Sequence, residues 1–258
     1  MQNLIKDIEN YWDRQPCNIR HSLNPVGTRQ YWADVDHRRW YIAPHLRSLS
    51  DFSKWKNLRV LELGCGIGAD AEQFVRHGAE YVGIDLSGAS IDLCRQRFQV
   101  QELAGEFYHM DAADWNQIKK LGSFDLVYAC GVLHHYPDPK KIISNVHQVL
   151  APLGEFRFLV YAKNSWKWAM ITQALDQFEA QADCPWAVVY TPDEIRLLLQ
   201  DKFDIMSIEQ DYCFMYNVNK YKQGIYELEP WFAAMTEQHR EAIRKNLGWH
   251  LSVISKKI

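Results

Sequence analysis

The stretch that most constrains this chain is RVLELGCGIGADAEQFVRHGAEYVGIDLS, residues 59–87. A short apolar run, which reads as a buried strand, ends in glycines at alternate positions, Gly64, Gly66 and Gly68. An amphipathic segment follows, and a second apolar run closes on Asp85. Such a strand–turn–helix–strand unit packs only as parallel strands with a crossover helix. Glycines between strand and helix permit left-handed backbone and let a ligand approach the main chain. The helix then presents free N–H groups and the positive end of its dipole to that ligand. A carboxylate at the end of the next strand suits a ribose diol. Asp85 and Ser87 are also helix-capping types, so capping is the competing reading of the aspartate.

The same alternation continues along the chain. Strands are expected at 58–63, 80–85, 106–109, 124–129, 155–161 and 203–209, with a last one in the alternating GWHLSVISKKI. Helices are expected at about 69–77, 88–99, 139–150 and 192–201, and APLG at 151–154 reads as a turn. The fold class is therefore α/β, a doubly wound and mostly parallel sheet with helices on both faces. Residues 3–14 and the segment TRQYWADVDHRRWYIAPHL form a helical N-terminal cap over 1–50. Residues 55–160 make the ligand-binding core, and 162–190 (rich in aromatics) and 211–249 are insertions on the substrate side. No repeat or low-complexity linker divides the 258 residues, which read as a single domain.

Composition narrows the function. A net charge of −3 and dispersed Lys and Arg give no long-range basic field, which argues against nucleic-acid binding. Cysteines 17, 65, 94, 130, 184 and 213 lack metal-ligand spacing, so no metal is expected. They read as reduced thiols, with Cys17 a packing residue. No apolar run reaches bilayer length and the polar start lacks a leader's apolar core, so a cytoplasmic protein is expected.

The spacing decides between adenosine ligands. A dinucleotide loop has G-x-G-x-x-G, whereas here Glu62 precedes G-x-G-x-G. These residues resemble the first motif of class I S-adenosylmethionine-dependent methyltransferases. FYHMDAADW, FDLVYACGVLHHYPDPKK and GWHLSVISKKI follow in that family's order. The resemblance implies a seven-stranded sheet with an antiparallel last strand, and S-adenosylmethionine as cofactor with S-adenosylhomocysteine as product. It implies cofactor contacts from Glu62, Gly64, Cys65, Gly66, Gly68, Asp85 and Leu86. Asp111 and Ala112 would meet the adenine edge, and backbone around Cys130 and Gly131 the methionine moiety. The words YWDRQPC and VDHRRWYIAPH are similar to a bacterial subgroup with a VDxRRYxxxPH element before the glycine loop.

The implied activity is methyl transfer to an O, N or C nucleophile of a small molecule, in a monomer or homodimer. Alternatives are a peptide or tRNA methyltransferase, or a non-catalytic partner subunit that keeps the pocket. The loop after the fourth strand faces the methyl in this fold, which makes His134, His135 and, one strand over, Tyr161 the candidate acid–base groups. His134 is the first choice. Within a lid built from 1–45 and 162–190, Tyr11, Trp12, Tyr31, Trp32 and Trp40 are candidate aromatic contacts. Arg38 and Arg39 are candidate holders of an acceptor carboxylate or phosphate. A cytosine-type enzyme is demoted because no Pro-Cys stands in that loop, and the [DN]PP[YFW] class because its motif is missing.

Overall fold

The computed structural model describes residues 1–173 and 184–258. Three helices come first: α1 (Gln2–Arg14), α2 (Arg29–Ile42) and α3 (Leu46–Ser50). The core then runs β1 (Arg59–Leu63), α4 (Ala69–Arg76), β2 (Glu80–Asp85), α5 (Gly88–Val100), β3 (Glu106–His109), α6 (Trp115–Ile118), β4 (Phe124–Cys130), α7 (Pro139–Val149) and β5 (Leu150–Tyr161). After it come α8 (Trp166–Thr172), α9 (Pro192–Leu199), β6 (Phe203–Asp211), α10 (Val218–Tyr221), α11 (Pro230–Ala233), α12 (Glu237–Leu247) and β7 (His250–Lys257).

The strands form one seven-stranded sheet in the order β3-β2-β1-β4-β5-β7-β6. All pairings from β3 to β5 are parallel, and β7 alone runs antiparallel, inserted between β5 and β6. The expected fold class is what the chain adopts. Strand β1 is buried without a break from Val60 to Leu63, as a central strand covered on both faces must be. One apolar cluster on one face joins Leu61, Val127, Phe156 and Val253 to α7 and α9; the other joins Val60, Tyr128 and Leu159 to Phe74, Phe98 and α3.

The one local reading that fails is the APLG turn. Residues 151–154 lie inside β5, where Leu153 takes a left-handed φ of 63° and the register to β4 shifts between Phe124 and Leu126. A bulge absorbs the turn-forming residues without ending the strand. Part of the aromatic insertion, residues 174–183, lies outside the described residues.

α2 is fastened to the core rather than laid upon it. Arg97 on α5 is fully buried and donates through Nε to Glu72 on α4 at 2.7 Å and through Nη2 to both oxygens of Asp36 on α2 at 2.6 and 2.5 Å. Tyr31, Trp32, Val35 and Ile67 pack beside it as a small core of their own.

Candidate active site

The sheet order reverses direction at β1, which has β2 on one side and β4 on the other; ligands of open α/β folds bind beyond such a point. There a cavity of about 1140 Å³, counted to its open mouth, lies over the carboxyl ends of β1 to β5. Its floor is the glycine loop. Gly68 has φ +82°, and a Cβ there would stand 2.6 Å from Cys94 Sγ, so helix packing alone excludes a side chain. Gly66 has φ +53° and open space where its Cβ would be, which leaves its backbone bare to the cavity.

Asp85 does more than point outward. Its Oδ2 accepts from Gly66 N and its Oδ1 from Ser87 N, both at 2.8 Å, tying the loop to the end of β2. The cap of α5 is Ser87, whose side chain accepts from Ser90 N. Burial first raises the Asp85 pKa, and the two backbone donors oppose that rise. A carboxylate has about four lone-pair directions, so two remain toward the cavity that Asp85 lines. Glu62 lies deeper, accepting from Tyr81 Oη at 2.5 Å, and burial followed by the nearby Asp70 pushes its pKa well up. Gly64, Cys65, Leu86, Asp111, Ala112 and Cys130 also line the cavity. Asp111 is held by Ala113 N at 2.8 Å and by Tyr136 Oη at 2.9 Å.

At the other end stand His135 and Tyr161. His135 Nδ1 lies 3.0 Å from the carbonyl of Trp186. A carbonyl only accepts, so Nδ1 carries the proton and Nε2 is left as a basic lone pair. Burial lowers the pKa of this imidazole to about 4, against which the Trp186 bond acts only partly. The covering segment is pinned by Val188 N donating to His134 O at 3.0 Å. His134 itself corrects the first choice. It is fully buried and does not line the cavity, its ring lies 3.7 Å from that of Tyr161 at a tilt of 39°, and neither nitrogen has a hydrogen-bond partner among the described residues. Burial holds it neutral.

The cap residues divide in the same way. Arg39 lines the cavity, bidentate on Asp70 of α4, with Nε to Oδ1 at 2.9 Å and Nη2 on the second oxygen. Asp70 offsets the desolvation of this buried guanidinium and keeps it charged. Arg38 leaves from the other side of α2 and seats its guanidinium 4.3 Å over Tyr221. Tyr11, Tyr31 and Trp32 are buried packing residues and line nothing; the Tyr31 hydroxyl donates to Ile19 O. The aromatic that does reach the cavity is Trp12, edge-on to His135 at 5.1 Å. Cys17 is exposed at the mouth, not packed. Sequence reading missed Asp70. Asp70 directly follows the loop, but its partner lies 31 residues upstream, and nothing in sequence joins the two. α1 is latched by Asp13, whose Oδ1 accepts from Ser87 Oγ at 2.8 Å and Ala89 N at 3.1 Å.

Comparison with known proteins agrees with this geometry. Residues 61–158 match the family model described as a methyltransferase domain. The fold is that of the class I methyltransferases. A ubiquinone biosynthesis O-methyltransferase of Acinetobacter baylyi is 30% identical over 156 residues, 60% of this chain and 58% of the relative. The match spans about half the length of the curated relatives found first, 58% and 46%. Magnesium protoporphyrin IX methyltransferase from Synechocystis, solved with S-adenosylhomocysteine, superposes with TM-score 0.62 at 16% identity, covering 98% of this chain and 99% of its own. A SAM-dependent methyltransferase from Anabaena variabilis gives 0.64 at 14% identity, covering 99% and 96%. No helix among the described residues is long and apolar enough to cross a membrane.

Proposed function

We propose that this protein is an S-adenosylmethionine-dependent methyltransferase acting on an O, N or C nucleophile of a small molecule. One observation carries the reading: a single cavity is lined by the glycine loop, by Asp85 and by His135, whose Nδ1 is held on a carbonyl. The donor set fits the cofactor. Asp85 keeps lone pairs for two ribose hydroxyls, Asp111 lines the same cavity and would take the adenine edge, and Gly66 puts no side chain in the way. Arg39, kept charged by its pair with Asp70, and the buried carboxyl of Glu62 line the same cavity and would serve an amino-acid tail. When bound, the cofactor supplies a methyl group already activated on a sulfonium.

The chain's own part is alignment, exclusion of water and proton removal. Trp12 from α1 and Tyr161 from β5 close the acceptor end with apolar ring faces. His135 Nε2 accepts the proton of an oxygen or nitrogen acceptor, and the Trp186 carbonyl stabilises the imidazolium through Nδ1–H. Tyr136 fixes Asp111 and so couples this loop to the adenine side. The names of the relatives make hydroxyl compounds the first acceptors to assay. The test is transfer of labelled methyl from S-adenosylmethionine to fractionated small molecules of the source cell, by wild type and by His135→Ala. Cofactor binding with no labelled product in any fraction would overturn the enzymatic reading.

A further inference from the structure

A second cleft lies on the same sheet face as the active-site cavity. Its floor comes from the register of β6 and β7, which pairs Ser207 with Ile254, Glu209 with Ser252 and Asp211 with His250. Alternate strand residues share a face, so all six project to one side, and all but His250 line the cleft. His250 pairs in turn with Tyr161 of β5, a wall of the first cavity. At about 4.8 Å between neighbouring strands, the two cavities are about 10 Å apart along one row. The partition between them is His250, whose Nδ1 lies 2.9 Å from His45 Nε2 and whose ring stacks 4.6 Å from Tyr212.

The charges lining this cleft are unequal in availability. Arg240 is consumed by the carbonyls of Phe232 and Met235 at 3.2 and 2.6 Å and by Glu237 at 3.0 Å. Arg244 is held by Glu237 at 2.6 Å and stands 3.9 Å from Asp211. Glu209 has no ion-pair or hydrogen-bond partner among the described residues, so the charge left over is negative. The same cleft is lined by phenol rings: Tyr226 lies 5.0 Å from Tyr41 and 6.0 Å from Tyr216, at 30° and 64°. Rings so inclined make a corner of π faces, and the neighbouring Arg38 already sits over Tyr221 and 6.0 Å from Tyr226. Ring faces that share a cleft with an unpaired, exposed carboxylate favour a cation over an anion or a neutral guest.

We propose that this second cleft binds a small organic ammonium ion, held by the tyrosine corner and Glu209. The site stands on its own residues and does not depend on the methyl-transfer reading. The test uses the full-length protein titrated by NMR or calorimetry with choline, with its uncharged isostere 3,3-dimethylbutan-1-ol, and with benzoate. Choline is expected to bind saturably, and the isostere about tenfold more weakly. Glu209→Gln and Tyr226→Leu should each weaken choline about fivefold or more, with unchanged S-adenosylmethionine affinity and a native circular-dichroism spectrum. The proposal fails if the folded protein shows no saturable choline binding, or if isostere or benzoate binds as well. It also fails if choline survives Glu209→Gln but is lost in Trp12→Ala, which would place the ion in the first cavity.

Discussion

Two adjacent histidines show how far one residue's surroundings decide its chemistry. His135 lines the cavity and has its tautomer set by a carbonyl, while His134 has neither property among the described residues. His135→Ala should lower kcat by about 100- to 10,000-fold and leave cofactor affinity within a factor of two, by stopped assay and calorimetry. His134→Leu removes two unsatisfied buried nitrogens from a site of similar volume. It should raise unfolding free energy by about 1 kcal/mol in urea and keep kcat within about tenfold. Loss of turnover with His134 alone would reverse the assignment. Asp85→Ala takes a charged acceptor from two backbone N–H groups as well as from the ligand. Affinity for S-adenosylmethionine should fall by about 2–4 kcal/mol, measured by calorimetry on the folded variant.

At the scale of elements, the cap has two parts with different attachments. α2 is held by the buried Asp36–Arg97–Glu72 chain and by Arg39 on Asp70, so its place relative to the glycine loop is set from both sides. Asp36→Ala leaves a fully buried guanidinium without its second carboxylate. We expect a loss of about 3–5 kcal/mol in urea unfolding, partly restored by Asp36→Glu. α1 buries Ile8 and Tyr11 and is held by the Asp13 latch on the start of α5, Trp12 against His135, and Glu9 3.4 Å from His109. The element pattern itself was legible because strand and helix periods are local properties of the chain. APLG misled because a bulge inside β5 uses the residue types of a turn, and only pairing to β4 tells the two apart.

For the whole molecule, the buried histidines govern response to acid. Burial lowers the pKa of His21 to about 3 and of His45 and His135 to about 4, and it pushes His134 and His250 well below the ordinary value. The unfolded chain binds protons at these sites from about pH 6.5 downward, and the folded chain does not until about pH 4. Stability therefore falls as pH drops through that window, by about 1.4 kcal/mol per unit for each histidine that titrates. Asp36, Asp85 and Glu62, raised by burial, act in the opposite sense because protonation relieves them in the folded state. Five histidines outweigh three carboxylates, so the urea midpoint should decline steadily from pH 7 to 5. An unchanged midpoint over that range would refute this. Turnover should stay flat from pH 6 to 8, because His135 with a pKa about 4 is already neutral there.

The sequence alone determined the order and kind of the core elements, the glycine loop and the acidic residue after it. These depend on periodicity, backbone freedom and spacing within about 30 residues, which the linear chain carries. Only the tertiary structure decided that Arg39 and not Arg38 lines the cavity, that His135 and not His134 does, and that Trp12 alone of the five candidate cap aromatics reaches it. Each choice depends on a partner distant in sequence, Asp70, the Trp186 carbonyl or the packing of α1 on α5. Neighbouring residues on a helix or tight loop differ by a rotation of roughly 100°, and it takes the packed fold to say which of them turns inward.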